Sequence, residues 1–110
     1  MDIKMVIRHF EPPDEFKIEA ENKISAVIEK HLRNVIDASA VFSLDNSRYA
    51  AEIDVKIKGT SFHAHDEDHN LHQCVEKVIK KLEAQMRRFK GKKNSLKKRN
   101  KESGGFDENS

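Results

Sequence analysis

Ile3, Met5 and Ile7 alternate with Lys4, Val6 and Arg8, a period of two that predicts a first strand with one buried face. Pro12-Pro13-Asp14-Glu15 interrupts that pattern and suits the opening of a helix, where proline is tolerated and acids favour the dipole. Phe16, Ala20, Ile24, Val27, Ile28, Leu32 and Val35 then recur every three or four residues, one apolar stripe on a helix of about five turns. Ala40, Phe42 and Leu44 predict a second strand, and Asp45-Asn46-Ser47 a turn. Tyr49, Ala51, Ile53, Val55 and Ile57 alternate with Ala50, Glu52, Asp54, Lys56 and Lys58, the clearest strand signal in the chain. Gly59-Thr60 turns the chain into a short fourth strand around Phe62 and Ala64. Asp66-Glu67-Asp68 reads as the start of a second helix, with Leu71, Val75, Val78, Leu82, Met86 and Phe89 along its apolar face and Gly91 as its stop.

The predicted order is β-α-β-β-β-α. Strands two to four form an antiparallel meander, and the two amphipathic helices must bury their stripes on one face of a four-stranded sheet. The expected class is α+β. Residues 1–90 form one α/β domain, and residues 91–110 a basic, then acidic, flexible tail that holds few apolar residues.

Charge changes the picture more than bulk composition does. Hydrophobic and charged residues each make up 36% of the 110 residues, and the formal net charge is only +2. That near-neutral total hides a sorted chain, with a net of −6 over residues 1–76, +11 over 77–101 and −3 over the last nine. A cationic block of this size favours a polyanionic partner, nucleic acid first. Lys77, Lys80, Lys81, Arg87 and Arg88 fall on or beside the polar side of the second helix, and Lys90 continues the block. Strand three offers Glu52, Asp54, Lys56 and Lys58 outward with no aromatic side chain, so phosphate and shape recognition of folded RNA fits better than base stacking. No apolar run approaches the ~20 residues of a membrane helix. The single cysteine, Cys74, excludes an internal disulfide and fits a reducing cytoplasm.

Other chemistry is weaker. His63, His65, His69 and His72 lie within ten residues, beside Asp66, Glu67 and Asp68, with His69 and His72 expected on one helix. They are the candidate ligands for a divalent ion, but their spacing matches no specific metal motif. A metal-dependent hydrolase built on them is the enzyme alternative. Cys74, next to the apolar stripe, reads as a packing residue. No nucleophile triad or glycine-rich phosphate loop is present, so the expectation is a non-enzymatic protein without a cofactor.

The element order, the segment AHDEDHNLHQCVEKVIKKLEAQ from Ala64 to Gln85, and the basic run after it resemble the short ribosome hibernation promoting factors. These are also called ribosome-associated inhibitors or sigma-54 modulation proteins. The resemblance covers residues 1 to about 93, and Lys81-Leu82-Glu83 with Gln85 is its most specific piece. It implies a double-stranded-RNA-binding-domain-like fold and cytoplasmic binding to 16S rRNA of the small ribosomal subunit. There the protein would occupy the decoding channel, exclude messenger and transfer RNA, and silence translation in stationary phase or stress. By position it implies RNA contacts from Arg8, Lys23, Lys77, Lys80, Lys81, Arg87, Arg88 and Lys90. Asn70, His72 and Cys74 stand where the family usually has Asp, Tyr and Ala. The separate dimerisation domain of long members has no counterpart up to Ser110, so ribosome dimerisation would need a second factor. A general double-stranded-RNA-binding module is the alternative on the same charge pattern.

Overall fold

The computed structural model describes residues 2–98 of the chain. The elements follow in the order β1 (Lys4–Arg8), α1 (Asp14–His31), β2 (Asp37–Asp45), β3 (Arg48–Ile57), β4 (Thr60–Asp68) and α2 (Leu71–Lys98). The strands form one sheet in the order β1-β2-β3-β4. β1 runs parallel to β2, as a crossover through α1 requires, and β2, β3 and β4 make the antiparallel meander.

The expected stripes form the core. Phe16, Ala20, Ile24 and Ile28 of α1 are buried at four-residue spacing, beside Val75, Val78, Ile79, Leu82 and Met86 of α2. Both helices cover the sheet face of Ala38, Ala40, Phe42, Ala51, Ile53, Val55, Phe62 and Ala64. The Phe16 ring meets Phe42 edge to face at 5.6 Å, tying α1 to the sheet centre. α1 ends at His31, so Val35 lies beyond the helix and packs from the connection. Asn46 and Ser47 both adopt positive φ, 51° and 63°, which makes the β2–β3 connection a two-residue turn matched to the sheet's twist. Gly59 turns β3 into β4 at φ +82°, where a side chain would be strained.

Two helix boundaries differ from the sequence expectation. Asp66, Glu67 and Asp68 are the last residues of β4, not the first of a helix, because they continue the ladder opposite Ala51, Ala50 and Tyr49. Asn70 is the residue that opens α2: its Oδ1 accepts the Gln73 N–H at 3.0 Å. β4 is therefore nine residues long rather than a short strand. At the other end α2 runs through Gly91 to Lys98. A lone glycine costs about 1 kcal/mol relative to alanine inside a helix, too little to stop one flanked by lysines. The rest of the expected tail, residues 99–110, lies outside the described residues.

Candidate nucleic-acid interface

Helical spacing gives α2 four faces. Val75, Val78, Ile79, Leu82 and Met86 point to the core. Glu76 and Glu83, seven apart, face α1. Lys77, Lys81 and Gln85, each four apart, lie along β4. Lys80, Ala84, Arg87 and Arg88 form the outward stripe, since residues at i, i+4, i+7 and i+8 share one side.

The α1 seam is held by charge. Lys23 Nζ donates to Glu76 at 2.8 Å and lies 3.6 Å from Glu19. This hydrogen bond raises the Lys23 pKa and lowers that of Glu76. Glu83, the only acid between residues 77 and 101, takes a hydrogen bond from His31 Nε2 at 2.8 Å and has Lys30 and Arg87 each at 3.5 Å. The His31 contact is the main cause of its lowered pKa.

The β4 seam is more specific. β4 is an edge strand, and an edge leaves a row of backbone groups unpaired. Gln85 closes that row at His63: its Oε1 accepts the His63 N–H at 3.2 Å, and its Nε2 donates to the His63 carbonyl. One turn back, Lys81 Nζ donates to the His65 carbonyl at 3.0 Å and lies 3.3 Å from Asp66. Another turn back, Lys77 Nζ donates to the Glu67 carbonyl at 3.0 Å, with Asp68 at 3.2 Å and Asp66 at 3.6 Å. The period of two along β4 and of four along α2 keeps the two rows in step. Burial pushes the Asp66 carboxyl up, but the Glu67 N–H and the Lys81 and Lys77 ammoniums outweigh it and leave its pKa lowered. The Asn70 N–H, then Lys77, lower that of Asp68.

The eight expected RNA-contact residues therefore fall into distinct settings. Lys80, Arg87, Arg88 and Lys90 are exposed on α2. Of these, Arg87 leans on Glu83, while Lys80, Arg88 and Lys90 have no ion pair among the described residues. Lys77 and Lys81 are tied to β4, and Lys23 to the helix seam. Arg8 is not brought to this surface: it alternates with inward-facing Ile7 and lies on the sheet face away from the helices.

The histidines disperse. His63 Nδ1 sits 2.6 Å from Asp54 across the outer sheet face, with Glu52 at 3.6 Å from Nε2, and the Asp54 hydrogen bond raises its pKa. His65 lies 3.8 Å from Glu67. His69 is in the β4–α2 connection rather than on the helix. Its Nδ1 donates to the Ser47 carbonyl at 3.1 Å, and its Nε2 accepts from Arg48 at 3.2 Å. His72 stands on α2 with its ring edge to face against Phe16 at 6.4 Å. Among the described residues no three His, Cys, Asp or Glu side chains converge as a metal site requires. Cys74 is fully buried, with its thiol facing the Tyr49 and Asp66 carbonyls at 3.5 Å, and burial pushes its pKa up to about 11. No described helix is long and apolar enough to cross a membrane.

This arrangement, a basic helix face on a β-α-β-β-β-α frame, matches a known family. Residues 3–94 fit the profile of the sigma 54 modulation protein / S30EA ribosomal protein family. The chain belongs to that family. It is a family of non-catalytic, ribosome-associated factors. The N-terminal domain of Thermus thermophilus Protein Y superposes with a TM-score of 0.71 at 27% identity, over 81% of this chain and 99% of that one. A ribosomal subunit interface protein from Coxiella burnetii has the same fold, with a TM-score of 0.71 at 18% identity over 83% and 99% of the two chains. No curated protein sequence matches the chain.

The sequence reading missed the β4 seam. Its signal was present as Lys77, Lys81 and Gln85 at four-residue spacing, but pairing them with strand carbonyls needs the tertiary contact.

Proposed function

We propose that this protein is a cytoplasmic ribosome hibernation factor. It binds the small ribosomal subunit through 16S rRNA at the decoding channel, keeps messenger and transfer RNA out, and silences translation in stationary phase or stress. The observation that carries this reading is the exposed cationic stripe of α2 on the frame of a ribosome-associated family. Lys80, Arg87, Arg88 and Lys90 are the leading phosphate contacts, with Lys77, Lys81 and Lys23 behind them and Arg8 on a separate surface. Charge-assisted contacts of this kind go mainly to phosphates and weaken steeply with salt. The sheet's outer face mixes Glu52, Asp54 and Glu67 with Lys4, Arg8, Arg48 and Lys56, so it offers phosphates no cationic stripe comparable to that of α2.

The test is co-sedimentation with small subunits at moderate salt, followed by in vitro translation. Wild-type protein should travel with the small subunit and inhibit translation, and K80E/R88E should do neither while keeping its melting temperature. Absence of the wild-type protein from the small-subunit peak would overturn the proposal. Equal affinity for an unrelated RNA duplex would replace it with a general duplex-binding module.

A further inference from the structure

The cationic block is not uniformly available. Lys77 and Lys81 each hold a β4 carbonyl and share the Asp66 carboxylate, and Lys77 also holds Asp68. Asp66 is the more enclosed acid, with its side chain only 16% exposed, and Asp68 is 28% exposed. Both acids lie on the sheet face that looks toward α2, because they alternate with outward His65 and Glu67. A phosphate approaching Lys77 or Lys81 must therefore compete with carboxylates already in place at 3.2–3.6 Å. The neighbouring Lys80 and Arg88 make no ion pair among the described residues; Lys80 feels only the more distant charge of Glu76, which Lys23 already holds at 2.8 Å.

From this we infer that Asp66 and Asp68 set RNA specificity by withholding Lys77 and Lys81 from phosphates, so that the protein does not bind every polyanion it meets. The inference rests on the RNA-binding reading of the α2 face. Its physical basis is the cost structure of nucleic-acid binding. Sequence-independent attraction grows with each phosphate neutralised, whereas discrimination comes from contacts that need one particular shape. Two cations neutralised internally add little to the first and still position the helix for the second. Specificity is a difference of affinities, and an element that penalises the wrong partner raises it as surely as a new contact to the right one. Lys77 and Lys81 are then positioning residues: they close the β4 edge and hold α2 in register, while Lys80 and Arg88 contact the partner.

The experiment compares the full chain with D66N/D68N. Asparagine keeps one oxygen at each position for the Glu67 and Asn70 N–H bonds that the Asp66 and Asp68 Oδ1 atoms accept, and puts an uncharged amide NH2 where Oδ2 faces Lys81 and Lys77, so the turn should persist while the lysines lose their carboxylates, as a melting curve checks. Binding to an unrelated RNA duplex and to small subunits is measured from 50 to 300 mM salt. For D66N/D68N the duplex affinity should rise several-fold, and the slope of log K against log salt should steepen by up to ~1.8, about 0.9 for each freed lysine. Affinity for small subunits should rise less, so the ratio between the two falls. E52Q/D54N removes the same charge from the opposite sheet face and should leave the slope unchanged. An unchanged slope in D66N/D68N, or an equal change in E52Q/D54N, would overturn the inference. Failure of the wild-type protein to bind small subunits would instead refute the functional proposal beneath it.

Discussion

Replacing Gln85 by alanine tests the β4 seam most directly. The side chain spans both polar groups of His63 on the sheet edge, accepting from its N–H and donating to its carbonyl. Truncation removes both bonds and leaves the core contacts of Leu82 and Met86 untouched. A neutral hydrogen bond contributes about 0.5–1.5 kcal/mol net, and water reaches this edge to take up part of the loss, so Q85A should cost about 1–2 kcal/mol. For a domain of this size that is a fall in melting temperature of roughly 5–10 °C. Q85E sharpens the argument, since glutamate keeps an acceptor for the His63 N–H but sets a negative charge against the carbonyl. It should be at least as destabilising as alanine, although a surface Gln to Glu change away from such a contact is usually within about ±0.5 kcal/mol. Urea unfolding and thermal melts of the three proteins supply the numbers. A second readout is association: an edge strand stripped of its cover pairs with other chains, so Q85A should aggregate sooner on heating. If Q85A and Q85E melt within a degree of the parent, the seam contributes nothing to stability and the account of the edge is wrong.

Two further outcomes follow from the titratable groups. Asp54 raises the His63 pKa, so the stability drawn from this pair is fully present below the ordinary histidine value of about 6.5 and is lost as pH rises through the higher folded value. Titration of the His63 ring signals by NMR should show the raised midpoint, and D54N should return it toward the ordinary value; the same midpoint in both proteins would remove Asp54 as the cause. The Cys74 thiol, buried and pushed up to about 11, should resist iodoacetamide at pH 8 in the folded protein and react once urea unfolds it. Rapid alkylation of the native protein would show that the α2–sheet contact opens readily.

Most of the frame was legible in the chain, for a physical reason. A strand with one wet face and a helix with one wet face leave periods of 2 and 3.6 in the sequence, and every element here has one such face. The boundaries at each end of α2 were not legible in the same way. Asp66-Glu67-Asp68 carries the acids expected at a helix start, yet the ladder with β3 claims all three and passes the helix start to Asn70. Gly91 looks like a stop, but a single glycine is a small cost in a long helix. The histidine cluster shows the same limit. Closeness in sequence put four imidazoles together, and strand alternation, a turn and a helix then sent them to four different partners.

The sequence by itself determined the order of elements, the buried stripes and the presence of a cationic block in the second helix, because each of these depends on local period and composition. Only the tertiary structure decided which of those cations remain free. Lys77, Lys80, Lys81 and Arg88 are equivalent as letters, and a shift of one residue along α2 separates a lysine facing solvent from one facing a strand edge. That difference of about 100° around the helix axis has meaning only once β4 lies alongside.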